Sequence, residues 1–238
     1  MNYPKQLRKS EFGQKTADFL NIAYKDYLAA RVLLNAHLPV QGAVLASTAV
    51  EKYFKAILAF GGNESQGHLK KAHFNAVKNF DPQLWALLSQ EFVELLQRVY
   101  SLRYQDDLEK SFNVVIATRE FLAELDCTAV TIQACFKLRQ GEKEAVLMYH
   151  QDRKLNDPRL LFNNHVLSSI EKQTFISGEP QFVYEVRNCP LRGFMEVSYF
   201  ATQQPSDGKF MRPGLMPKDN GVGMQYQMAF LPLPPNIP

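Results

Sequence analysis

Residues 43–62 read AVLASTAVEKYFKAILAFGG. Ala43, Ala46, Val50, Phe54 and Ile57 recur at three- and four-residue steps, which puts them on one face of a helix. The pair Gly61-Gly62 marks its end. Lys52 and Lys55 flank the apolar stripe without interrupting it. The same periodicity runs outward in both directions. In 16–39 the stripe is Phe19, Ala23, Tyr27, Ala30 and Leu34, with Thr16 as the expected N-cap and Pro39 closing the segment. AHFNAVKNF, 72–80, predicts a short helix before Asp81-Pro82. LWALLSQEFVELLQRVYSLRY, 84–104, predicts a third long helix with Leu84, Leu88, Phe92, Leu95 and Val99 inward. A fourth is expected from about Phe112 to Leu138, on Val115, Phe121, Leu122, Leu125 and Ile132. Four long helices and a short one make an antiparallel bundle.

Proline usage divides the chain: ten of the thirteen lie at or after Pro158. Proline removes a backbone donor and is costly inside a helix, so long helices are confined to the first region. After Gly141 the stretches EAVLMYHQ, QFVYEVRN, FMEVSYFAT and MQYQMAFLPL are short, aromatic and β-branched, and the segments between them have turn compositions. DPRLLFNNHVLSSIEKQ, 157–173, fits either a helix or a strand pair. LPLPPNIP at the end favours polyproline II. The expected class is α+β: an arm at 1–15, a helical bundle at 16–140, and a small, mainly β appendage at 141–238.

Composition excludes several classes. Net charge is +3, far from the basic footprint of a dedicated nucleic-acid binder. Cys127, Cys135 and Cys189 are odd in number and lack CxxC spacing, which argues against a disulfide framework or structural zinc; Cys127 and Cys135 are expected inside the packed helix. No apolar run approaches a membrane span. A cytoplasmic protein with no membrane association is the expectation.

The ordered segments of 16–138 resemble a HEPN domain. The likeness rests on YLAARVLLNAH in the first helix, on AVLASTAVEKYFKAILAFGG in the second, and on YSLRYQDD late in the bundle. His73, more than His68, matches a histidine that follows the glycine turn in the family. The resemblance implies a homodimer formed through the helices. It implies a nucleotide or RNA ligand with no other cofactor, and for some members a nucleotidyltransferase-type protein partner in a toxin–antitoxin pair. It also implies, for other members, metal-independent RNA cleavage by an Arg-x(4–6)-His motif in the last long helix.

That motif is missing where it belongs. Arg103 is followed at the required spacings by Leu108, Glu109 and Lys110, and residues 98–149 contain no histidine. Cleavage next to a 2′-hydroxyl needs a base as well as a cation, and arginine is always protonated. Arg31 and His37 show the literal spacing on the first helix, yet their side chains point about 120° apart; they read as an edge charge and a helix-end residue. The expected function is therefore a non-catalytic module binding a nucleotide, a nucleic-acid end or a protein partner. Lys52, Lys55, Arg103 and Tyr104 are its candidate ligand residues. Two readings stay open for the lysines. Glu51 can pair with Lys55 at i, i+4, leaving both as solvated charges, or Lys52 above all reaches a phosphate. Arg103 is either a helix-end cation paired with Asp106 or Asp107, or a phosphate fork with Tyr104 stacking on a base. An RNA endonuclease using Arg103 with His73 or His37, and an adaptor acting through 141–238, are the alternatives. No metal site is expected.

Overall fold

The computed structural model describes residues 11–104, 108–109, 112–189 and 193–201. It is an α+β fold: two long packed helices lead a helical region, followed by a small antiparallel β region. Helix α1 (Gly13–Asn35) and α2 (Pro39–Phe60) form an antiparallel hairpin. Pro39 opens α2 at its first turn, where its missing N–H costs nothing. α1 begins one turn earlier than expected. Thr16 is not its cap; its hydroxyl instead donates to the Phe12 carbonyl at 3.0 Å.

The short helix α3 spans Lys71–Phe80 and α4 spans Pro82–Leu87. The expected third helix is broken here. Leu88 is extended, and Ser89 caps a new helix, α5 (Gln90–Tyr100), by accepting from the Phe92 N–H at 3.2 Å. A single 3₁₀ turn, Ser101–Arg103, follows. The expected fourth helix also starts later. Asn113–Ala117 is strand β1, and α6 runs Thr118–Ala134. The β-branched run Val114-Val115-Ile116 suits a pleated surface better than a helix.

Strands β2 (Leu138–Gln140) and β3 (Lys143–Ala145) form a hairpin around Gly141 at φ +63°. EAVLMYHQ, expected as a strand, turns after Ala145 into helix α7 (Met148–Lys154). The undecided 157–173 stretch forms the short α8 (Pro158–Leu161) and turns, and α9 spans Lys172–Ser177. The two expected strands β4 (Gln181–Cys189) and β5 (Gly193–Ala201) pair antiparallel. β1 adds to β4, giving the order β1-β4-β5, so a strand from the helical region completes the C-terminal sheet. The residues expected as a MQYQMAFLPL strand and the proline tail lie outside the described residues.

One core joins these elements. Every inward position read from α2, α4–α5 and α6 is buried, and on the sheet Val114, Ile116, Tyr184 and Val186 face the same cluster. The opposite sheet face has its own small cluster of Val115, Ala117 and Val183.

Candidate functional site

On α2, Ser47, Glu51 and Lys55 are spaced four residues apart and share one side of the helix. Glu51 takes hydrogen bonds from Lys55 and from His68 Nδ1 on the α2–α3 loop. Burial opposes its charge, but these two donors win and hold the Glu51 carboxyl below its ordinary range. His68 Nε2 meets the Ser47 hydroxyl at 2.8 Å. Hydroxyl, imidazole and carboxylate follow the order of a nucleophile relay. Ser47, however, is completely buried and its hydroxyl donates to the Leu96 carbonyl at 2.6 Å. No substrate atom reaches it; the relay ties the loop to α2 and α5.

From His68 the contacts continue outward. Its ring stacks on Tyr100 with centroids 3.4 Å apart and planes 14° from parallel. The Arg103 guanidinium lies over the Tyr100 ring at 5.1 Å and over the Tyr104 ring at 5.6 Å, and its Nη1 donates to Tyr100 Oη at 3.0 Å. The single 3₁₀ turn after α5 makes this possible, by bringing residue 103 back over residue 100. Arg103 and Tyr104 are exposed, Tyr104 by 53%. Among the described residues that Tyr100 bond is the one hydrogen bond Arg103 makes, so most of its fork is open to solvent. The expected pairing with Asp106 or Asp107 falls outside the described residues.

The four expected ligand residues therefore separate. Lys55, Arg103 and Tyr104 belong to one run of contacts through Glu51, His68 and Tyr100. Lys52 does not: it pairs at 2.5 Å with Asp26 of α1, an ion pair between the two hairpin helices. Lys52, the lysine favoured to reach a phosphate, is held instead by a carboxylate from another helix. Lys55 has the local carboxylate expected for it and also lines a shallow depression with Lys15, Phe19, Asn63, Glu64 and Ser65. Sequence reasoning ranked His68 below His73 and quoted Tyr100 only as part of YSLRYQDD, so neither was chosen as a site residue although they join the two halves.

The alternative catalytic residues lie elsewhere. His73 is completely buried on α3, its Nδ1 accepting from the Lys70 N–H at 3.0 Å and its Nε2 without a partner among the described residues. His37 sits at φ +58° after α1 with its ring against Phe182 and Phe200. No contact brings either to Arg103 among the described residues. Arg31 is no edge charge. It is 0% exposed, paired with Asp126 of α6, and donates to the Arg159 and Phe162 carbonyls. Tyr27 donates to the same Asp126 oxygen at 2.7 Å and accepts from Asn164 at 3.2 Å. The Asp126 carboxylate outweighs burial and raises the Arg31 pKa, keeping the guanidinium charged. Cys135 is exposed, against the expectation of packing, while Cys127 is partly buried, and burial pushes its thiol up to about 11. No cluster of metal-ligating residues occurs among the described residues.

No family model, curated protein or solved structure matches this chain. Among the described residues no helix is long and apolar enough to cross a membrane.

Proposed function

We propose that the chain is a non-catalytic, HEPN-like module, dimeric through its helices, that binds a nucleotide or the end of a nucleic-acid strand at Arg103 and Tyr104. The observation that carries this is the guanidinium held over Tyr100 and Tyr104 with most of its donors open. A stacked arginine loses little freedom on meeting a phosphate, and its planar fork contacts two oxygens at once. Tyr104 offers an exposed ring for a base. The ion pairs already made by Lys52 and Lys55 leave Arg103 as the principal cation of the site. Accommodation of a nucleotidyltransferase-type partner belongs to the same reading. A thermal-shift titration with ATP, GTP and a short RNA tests it: saturable stabilisation of wild type, absent in Arg103→Ala, is expected. No stabilisation by any of the three would refute it, and a strict monomer at high concentration by mass measurement would refute the dimer.

The adaptor reading has one observation in its favour. Leu38 and the rings of Phe162 and Phe200 are exposed by 45%, 62% and 62%, and Phe200 packs edge-on against His37. Deleting 141–238 is an unsuitable test, because it would strip β4 from β1. Phe200→Ser combined with Phe162→Ser leaves the sheet intact; loss of partner capture in that variant supports the adaptor, and unchanged capture refutes it.

A further inference from the structure

We propose that His73 is an acid-operated fastener of α3: its neutral ring caps the first turn and anchors it to α2, and uptake of a proton releases that turn. Lys70 precedes the helix in extended backbone, and His73 is the third helical residue. Its Nδ1 accepts from the Lys70 N–H at 3.0 Å. A glutamate or glutamine usually fills this role, reaching back from the third helical position to the cap residue's N–H. Here an imidazole does so, and the acceptor lone pair exists only while that nitrogen carries no hydrogen. The ring's one hydrogen is then on Nε2, which is buried without a partner among the described residues.

The later turns of α3 are held by Phe74 and Phe80, whose rings pack against Phe54 and Phe60 of α2, so the proton acts on the first turn. The buried residues of α3 are His73 and Val77. The charged and titratable groups facing the ring are Glu51 and Lys55 of α2 and His68 of the α2–α3 loop. Glu51 alone among them favours an imidazolium, and it is already shared by Lys55 and His68. A proton at Nδ1 would turn an acceptor into a donor facing the Lys70 N–H. It would also set a buried positive charge at the positive end of the helix dipole.

Burial is the largest influence on the ring and lowers its pKa below the ordinary 6.5. The undocked turn therefore takes up the proton first. Docking is complete above pH 6.5 and weakens as pH falls from there toward the docked value, by about tenfold per pH unit.

Amide hydrogen exchange of residues 71–80, read by NMR on the full chain at pH 7.0 and 5.5, tests this. Wild type is expected to lose protection in the first turn of α3 at pH 5.5, by at most about tenfold, while the later turns keep theirs. His73→Gln keeps an acceptor for the Lys70 N–H and has nothing to titrate, so its protection is expected to be equal at both values. Constant protection in wild type, or an equal loss in His73→Gln, would overturn the proposal. Should His73→Gln fail to fold, the His73 ring is followed by NMR in wild type: a midpoint below 6.5 that coincides with loss of protection in the first turn of α3 supports the fastener, and a ring that titrates while that turn stays protected overturns it.

Discussion

Removing Asp126 is expected to damage this fold more than removing the arginine it pairs with. In Asp126→Ala the Arg31 guanidinium keeps its bonds to the Arg159 and Phe162 carbonyls. It remains 0% exposed and loses the one carboxylate that balances it among the described residues. Arginine cannot shed its proton, so the full cost of an uncompensated buried charge falls on the folded state, about 3–5 kcal/mol. Tyr27 also loses its acceptor, at about 1–3 kcal/mol if counted alone; the two overlap and do not add. Against a typical domain stability of about 5–15 kcal/mol the loss is large. Arg31→Met leaves Asp126 in the opposite position. Burial already pushes its carboxyl above the ordinary range, and without the arginine it takes up a proton and becomes neutral. We expect Arg31→Met to be the milder change at pH 7 and milder still at pH 5.5, and Arg31→Met/Asp126→Leu to recover part of the Asp126→Ala loss. Urea unfolding followed by circular dichroism, with m-values compared, measures all four proteins. An Asp126→Ala cost below about 1 kcal/mol, or a double variant worse than either single change, would refute the reasoning.

Other sites give smaller, separable effects. Glu51→Gln removes a carboxylate whose folded pKa lies below its ordinary 4.5; wild type keeps that stabilisation above pH 4.5 and loses it as pH falls through the folded value, so the variant's unfolding curve should be flatter on the acid side, with a cost of about 1–2 kcal/mol at pH 7. An equally steep acid limb in both proteins would contradict this. Lys52→Met breaks a partly exposed pair with Asp26 and should change stability by less than about 1 kcal/mol, with no effect on a ligand-induced thermal shift. Gly62→Ala places a Cβ 2.7 Å from the Phe12 ring at φ +74°, and should lower stability by about 1–2 kcal/mol in the same urea assay. Tyr24→Phe deletes the 2.8 Å bond to Asp152 that fastens α7 to α1, at about 1 kcal/mol, seen first as faster amide exchange in 148–154.

The helices were legible because a 3.6-residue repeat is a local property. Each stripe on α2, α5 and α6 could be counted without knowing what it packs against. The break before α5 left a trace in Ser89 followed by Glu91, a capping residue with an acid in the first turn, but the apolar repeat on either side concealed it. β1 was hidden for a related reason: the four apolar residues at 114–117 abut a helical stripe, and a short apolar run has no period of its own. Its partner strand begins some sixty residues later, so nothing local marks it. The same limit governs the polar sites. Glu51–Lys55 is an i, i+4 pair and was readable. Arg31–Asp126, 95 residues apart, and Glu51–His68, 17 apart, depend on how helices and loop pack. Arg103 and Tyr104 were singled out by residue type, but the guanidinium's place over Tyr100 came from one 3₁₀ turn that no propensity indicates.

Binding of a 5′-labelled short RNA, followed by fluorescence anisotropy at two salt concentrations, tests the Arg103–Tyr104 site most directly. Wild type should bind and weaken as salt rises. Arg103→Lys, which keeps the charge but not the stacked planar fork, should bind at least tenfold more weakly, and Tyr104→Ala should lose about 1–3 kcal/mol of affinity. Binding that is unchanged in both variants, or absent in wild type while ATP and GTP also fail to bind, would contradict the account.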